Sequence, residues 1–98
     1  MQLNTDAVKN WIVPMGFAPQ NGKSGIYCKT YASHSGYTIF IDFNSGKIIY
    51  DPEEEPKQNT VKVWEKTTCN FSQAENFVVL ECVDRLLLKG YAPACIEL

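Results

Sequence analysis

The chain has 98 residues, of which 45% are hydrophobic and 20% are charged, as in one small globular domain. Its net charge of −2 argues against a domain that binds duplex DNA through phosphate contacts alone, because such domains usually carry a basic face. No apolar run reaches the roughly 18 residues that a membrane span needs, and the N-terminus lacks the basic and apolar regions of a signal peptide. We therefore predict a cytoplasmic protein without a membrane partner.

The four cysteines and the single histidine give little support to a metal site. The cysteines are far apart in sequence, without the paired spacing of zinc ligands, at Cys28, Cys69, Cys82 and Cys95. We expect four reduced thiols, buried or half-buried, and neither a metal nor a cofactor. His34 lies in a short polar link, where a surface position is expected and a role as a general base is the alternative.

The first predicted element is a helix that Asn4 or Thr5 caps. Pro14 disfavours helical geometry at the preceding residue, so the helix is expected to end near Val13. The composition of residues 17–25 predicts a loop.

From Ile26 the hydrophobic period becomes alternating, which predicts three antiparallel strands in meander order. These strands are expected at 26–32, 36–43 and 47–51. Gly46 suits a left-handed turn position before the third strand. Alternation places the following side chains of the second strand on one face: Tyr37, Ile39, Ile41 and Phe43. A fourth strand is predicted at 60–65, after an exposed acidic loop at 51–59.

Residues 72–90 form the clearest predicted helix. Ser72 and Glu75 have the spacing of a capping box, and Gly90 followed by Pro93 closes the helix. Its apolar stripe is expected to contain Phe77, Val79, Leu80, Cys82, Val83, Leu86 and Leu87. Its solvent side is expected to contain Glu81, Asp84, Arg85 and Lys89.

These elements predict an α+β fold, in which a small antiparallel sheet of three to four strands in meander order packs against two helices on one face. Residues 94–98 add a short strand-like run after the second helix. One small domain is expected to span residues 1–98. Its apolar last residues suggest the N-terminal fragment of a longer chain.

The element order resembles the core of nucleases of the restriction-endonuclease type, in which two carboxylates hold Mg²⁺ and a lysine orients the attacking water. Asp42 and Asp51 occupy comparable positions at strand ends. Glu53 stands where the lysine belongs, and the Glu-x-Lys triplet at residues 55–57 is broken by its proline. We therefore favour Asp42 as a solvent-facing strand-end residue, and a minimal Mg²⁺-dependent nuclease that uses Asp42 and Asp51 is the alternative.

A second candidate surface combines aromatic and basic side chains of the predicted sheet. Aromatic rings next to lysines are the components of a stacking platform for single-stranded nucleic acid. The rings in question are Tyr27, Tyr31, Tyr37, Phe40 and Tyr50. Such rings more often pack in a core or in cross-strand pairs, which is the interpretation we favour. The candidate contacts to DNA or to a partner are Lys29, Tyr31, Tyr37 and Lys47.

The end of the chain, NFSQAENFVVLECVDRLLLKGYAPACIEL, resembles a stretch near the N-terminus of large bacterial restriction-modification enzymes. These enzymes, of the type I and type IIG kinds, join a nuclease-like region to an adenine-specific DNA methyltransferase. The matching sequence segments are Glu75–Val78, Glu81–Val83, Leu86–Tyr91 and Ile96–Leu98. In the family, as the resemblance implies, similar segments come just before a restriction-type nuclease core and supply its first helix and strand.

The resemblance implies a non-catalytic N-terminal domain that assists domain packing or DNA engagement and has no activity of its own. The family's metal-binding Asp and Glu-x-Lys are expected beyond Leu98, and only a first-helix acidic residue carries over, to Glu81 or Glu75. The expected partners are DNA and the downstream nuclease and methyltransferase domains of the same polypeptide. Residues 72–98 then belong either to the core of this domain or to a following nuclease domain.

The alternative outside this family is a free-standing protein-interaction module. It would bind its partner through the aromatic sheet face or through the acidic residues 53–55.

Overall fold

The structure is a computed structural model that describes residues 4–34, 36–50, 60, 61, 63 and 69–98. The elements in chain order are helix α1 (Thr5–Ile12), strands β1 (Ala18–Pro19), β2 (Ile26–Tyr31), β3 (Tyr37–Asp42) and β4 (Lys47–Ile49), and helix α2 (Glu75–Leu88). Short 3-10 turns follow β2 and α2, at Ala32–His34 and Pro93–Cys95. The predicted α+β class, with a meander sheet and two helices, is confirmed. Neither of these helices has the length and apolar character that crossing a bilayer requires.

Helix α1 begins and ends as predicted. The side-chain oxygen of Asn4 accepts a hydrogen bond from the backbone N of Ala7 at 2.7 Å, which satisfies one of the free N–H groups of the first turn. The helix ends at Ile12, and the chain then turns over residues 13–16. Val8 and Ile12, one turn apart, are its buried residues, so α1 contacts the core through one narrow stripe.

The sheet has the order β1-β2-β3-β4, and each neighbouring pair is antiparallel. Alternate residues of β3 are buried, as a period of two requires: Tyr37, Ile39 and Ile41. Apolar residues of both helices belong to the same core cluster as these three side chains. The helices therefore cover one face of the sheet. Gly46, with a φ of +66°, takes the predicted left-handed position in the turn before β4.

The first strand of the sheet was not expected from the sequence. β1 lies within the predicted loop 17–25, where Ala18 pairs with Cys28 and Pro19 pairs with Tyr27. A strand of two residues that contains a proline has no period that a sequence pattern can reveal. The strand predicted at 60–65 lies partly outside the described residues, and the loop predicted at 51–59 lies wholly outside them.

Helix α2 begins without the predicted capping box. Its N-cap is Ala74, which makes no side-chain cap bond, and the backbone N of Ser72 donates to Oδ1 of Asn70 at 3.0 Å. The buried amide of Asn76 donates to the carbonyl and the side-chain oxygen of Asn70, at 2.9 and 3.0 Å. An asparagine pair therefore fixes the entry to α2. At the other end Gly90 has a φ of +103°, as the predicted helix closure needs.

The buried stripe of α2 is rotated relative to the predicted one. Its apolar members are Phe77, Leu80, Val83 and Leu87. Two predicted positions are wrong: Cys82 is exposed and Asp84 is buried. Because the apolar members of the stripe belong to the same core cluster as the sheet, residues 75–88 are part of this domain's core.

Candidate functional site

The side chain of Asp84 lies on the buried stripe of α2. Asp84 is one turn after Leu80 and one turn before Leu87, and both leucines are fully buried. Only 9% of the Asp84 side chain is exposed. A carboxylate in such a position costs several kcal/mol unless it is paired and hydrogen-bonded, so its contacts decide what the site can do.

Two donors from β2 meet the carboxylate of Asp84. The Nζ atom of Lys29 lies 2.6 Å from Oδ1, and the hydroxyl of Tyr31 donates to the same oxygen at 2.5 Å. Lys29 and Tyr31 are two residues apart in β2, so alternation directs both side chains toward the helices. We call Lys29, Tyr31 and Asp84 the polar cluster.

Lys29 also joins the turn after α1 to the polar cluster. Its Nζ atom donates to the carbonyl of Met15 at 2.6 Å and lies 5.2 Å from the centre of the Tyr31 ring. Gly16 has a φ of +103°, and a Cβ atom there would lie 3.3 Å from Cε of Lys29. A glycine at this position therefore serves both the backbone conformation and the close approach of the lysine.

The hydroxyl of Tyr31 stays protonated in this setting. Burial raises the pKa of Tyr31 above its usual range, and the hydrogen bond to Asp84 raises it further, because an ionised hydroxyl would bring a second negative charge to the carboxylate. Tyr31 is thus a fixed donor. The three side chains of the polar cluster face one another, so their arrangement holds α2, β2 and the turn after α1 together.

A buried pair of tyrosines, Tyr37 and Tyr50, lies next to the polar cluster. Tyr37, whose ring centre is 6.2 Å from that of Tyr31, donates its hydroxyl to the carbonyl of Tyr50 at 2.6 Å. The hydroxyl of Tyr50 is buried and has no hydrogen-bond partner within the described part of the chain. Burial raises the pKa of Tyr50 above its usual range, and the neighbouring Cys69 and Tyr37 raise it further.

The predicted contact residues lie in three different environments. Lys29 and Tyr31 are in the polar cluster, and Tyr37 is in the core. Lys47 is exposed on β4, where its backbone lies in register opposite Asp42 of β3. Tyr31, Tyr37 and the buried Tyr50 follow the core interpretation that the sequence favoured. Among the four predicted contacts, Lys47 is the one whose side chain is open to a macromolecule.

The side chain of Asp42 is engaged in a turn. Its Oδ1 atom accepts from the backbone N of Asn44 at 2.8 Å and of Ser45 at 3.3 Å, which makes an Asx turn between β3 and β4. Asp51, the second carboxylate of the alternative nuclease, lies outside the described residues. Within those residues, no group of three or more His, Cys, Asp or Glu side chains could hold a metal ion.

The acidic residues that the resemblance carries over have different surroundings. Glu81 accepts a hydrogen bond from the indole N–H of Trp11 at 2.6 Å and lies 3.7 Å from Arg85, so it joins α2 to α1. Glu75 is exposed in the first turn of α2, where a negative charge is favourable against the helix dipole. Both residues therefore have structural roles.

The side chain of His34 contacts the end of α2. The four cysteine thiols differ in exposure. The Nε2 atom of His34 lies 2.8 Å from the carbonyl of Leu87, so the expected surface histidine is half-buried. The expectation that all four thiols are buried or half-buried is wrong for two of them. Two are half-buried and two are exposed, respectively Cys28 and Cys69, and Cys82 and Cys95.

Large apolar side chains stay exposed along α2 and just after it. They are Val78, Leu88 and Tyr91, which are 49%, 65% and 56% exposed. We call these three residues the exposed apolar group. An open depression next to Tyr91 is lined by Lys89 and Gly90.

Comparison of the chain with protein-family models, with curated proteins and with solved structures found no match.

Proposed function

We propose that this chain is a non-catalytic N-terminal domain of a bacterial restriction-modification enzyme. In this role it packs against the nuclease or methyltransferase regions of the same polypeptide or helps to engage DNA. The observation that carries the proposal is the resemblance of residues 75–98. Its matching sequence segments include all three residues of the exposed apolar group. A resemblance that arose from core packing alone would be confined to buried positions.

The exposed apolar group supports packing as the main role. Full burial of a leucine side chain contributes about 1.5–3 kcal/mol, so covering Leu88 and its neighbours would stabilise a contact between domains. Contacts between domains of one chain commonly bury about 600–1,500 Å², to which one helix face makes a substantial contribution. Because the sheet already covers the buried stripe of α2, these exposed side chains are left for such a contact.

Internal contacts of the polar side chains support a non-catalytic role. Lys29 and Asp84 form an ion pair, Asp42 stabilises a turn, and Glu81 accepts a hydrogen bond from the indole of Trp11. Each of these groups would have to give up a structural contact before it could act on a substrate.

Reading the gene beyond the codon for Leu98 tests the identity of the parent enzyme. We expect a continuous frame that encodes an Asp and a Glu-x-Lys on successive strands, followed by an adenine methyltransferase motif. A stop codon directly after Leu98, or a frame without a methyltransferase, would contradict the proposal. The free-standing interaction module would then be the function to pursue.

Limited proteolysis of the full-length enzyme tests the packing role. Serine at both Leu88 and Tyr91 should speed cleavage after residue 98 several-fold and leave thermal unfolding of the isolated domain unchanged. The matched control is Val13→Ser, because Val13 is a similarly exposed apolar residue at the end of the other helix. Equal acceleration by the control would show that the exposed apolar group has no special role in packing.

Salt-dependent binding to a labelled DNA duplex tests the role in DNA engagement. Lys47→Glu should weaken binding and reduce the slope of log K against log salt by about 1, the value for one lost phosphate contact. Lys23→Glu makes the same charge change in an exposed loop and should have a smaller effect. If the two variants bind alike, Lys47 is not a specific contact.

A further inference from the structure

We draw no further inference here: the strongest candidate, the row of apolar side chains Ala18, Cys28, Phe40 and Ile49 that lies in register across the sheet face turned away from the helices, carries nothing, because nothing in the structure shows what covers it.

Discussion

Removal of either charge of the Lys29–Asp84 pair leaves the other charge uncompensated between α2 and β2. The two side chains are 16% and 9% exposed, so solvent can replace little of the lost partner. We expect Lys29→Met to lower the free energy of unfolding by about 3 kcal/mol or more. Urea unfolding at neutral pH, followed by circular dichroism, measures the change.

Two further variants define what the Lys29–Asp84 pair contributes. Lys29→Met combined with Asp84→Leu removes both charges and should regain part of the loss, although the hydroxyl of Tyr31 then lacks its acceptor. Arg85→Met is the matched control, because the Arg85–Glu81 pair is far more exposed, and it should change stability by about 0.5 kcal/mol or less. Equal losses for Lys29→Met and Arg85→Met would contradict the assigned role of the polar cluster.

Tyr50→Phe removes a buried hydroxyl that lacks a hydrogen-bond partner among the described residues. An unsatisfied buried hydroxyl destabilises the folded state, so we expect the variant to be about 1 kcal/mol more stable at neutral pH. Tyr37→Phe should have the opposite effect, about 1 kcal/mol of lost stability, because its hydroxyl donates to the carbonyl of Tyr50. Loss of stability in both variants would show that the Tyr50 hydroxyl is satisfied, for example by an internal water.

The Tyr50→Phe variant should also change the response to alkaline pH. Burial raises the pKa of Tyr31 and Tyr50 in the folded state, so the unfolded chain releases these protons first. The contribution of these two protons to the free energy of unfolding is fully present below about pH 10. Above that pH the free energy of unfolding falls by up to about 1.4 kcal/mol per pH unit for each tyrosine. Tyr50→Phe should therefore lose stability less steeply above that pH than Tyr91→Phe, which alters an exposed ring. Urea unfolding at a series of alkaline pH values measures both slopes, and equal slopes would refute the expectation.

Asp84 shows how far a local pattern predicts a site. Its spacing from Leu80 and Leu87 marks the buried stripe, but a charged side chain taken alone favours solvent. Its partners Lys29 and Tyr31 are 55 and 53 residues earlier in the chain. Because the period of a helix contains no information about distant partners, the sequence indicated Lys29 and Tyr31 as candidate contacts to DNA or a partner and placed Asp84 on the solvent side of α2.

At the scale of the elements, the turn after α1 depends on Gly16. An alanine there would need a left-handed backbone and would place its Cβ atom 3.3 Å from Cε of Lys29. Gly90 has the same φ of +103° but open space around it, so Gly90→Ala measures the backbone cost alone, about 1–2 kcal/mol. We expect Gly16→Ala to lower the free energy of unfolding by more than Gly90→Ala does. Equal losses in thermal or urea unfolding would show that Lys29 moves aside without cost.

The elements with a clear period were predictable, and the short or irregular ones were not. β2, β3 and α2 each repeat their apolar residues over enough positions to reveal their type. β1 has two residues, and the entry to α2 is fixed by a contact between Asn70 and Asn76 that resembles no cap motif. The rotation of α2 depends on which stripe the sheet covers, so Cys82 and Asp84 exchanged their expected places.

At the scale of the whole molecule, one core cluster joins α1, the sheet and α2. Truncation after Ala74 would remove the buried side chains Phe77, Leu80, Val83 and Leu87. At about 1.5–3 kcal/mol each, their burial contributes roughly 6–12 kcal/mol, which is comparable to the whole stability of a typical domain. We therefore expect residues 1–74 to be unfolded, with narrow amide dispersion in a two-dimensional NMR spectrum and weak circular dichroism.

Point variants of the 98-residue chain distinguish the effect of lost core contacts from the effect of a shorter chain. Leu80→Ala should lower the free energy of unfolding by about 2–5 kcal/mol, because it empties a fully buried position. Val78→Ala removes a smaller side chain from the exposed side of the same helix and should change it by about 0.5 kcal/mol or less. If residues 1–74 fold alone and Leu80→Ala costs no more than Val78→Ala, α2 belongs to a following domain. If truncation unfolds the chain and Leu80→Ala is costly, α2 is the second helix of the domain that α1 and the sheet form, and under the proposed function the nuclease core would lie outside this domain.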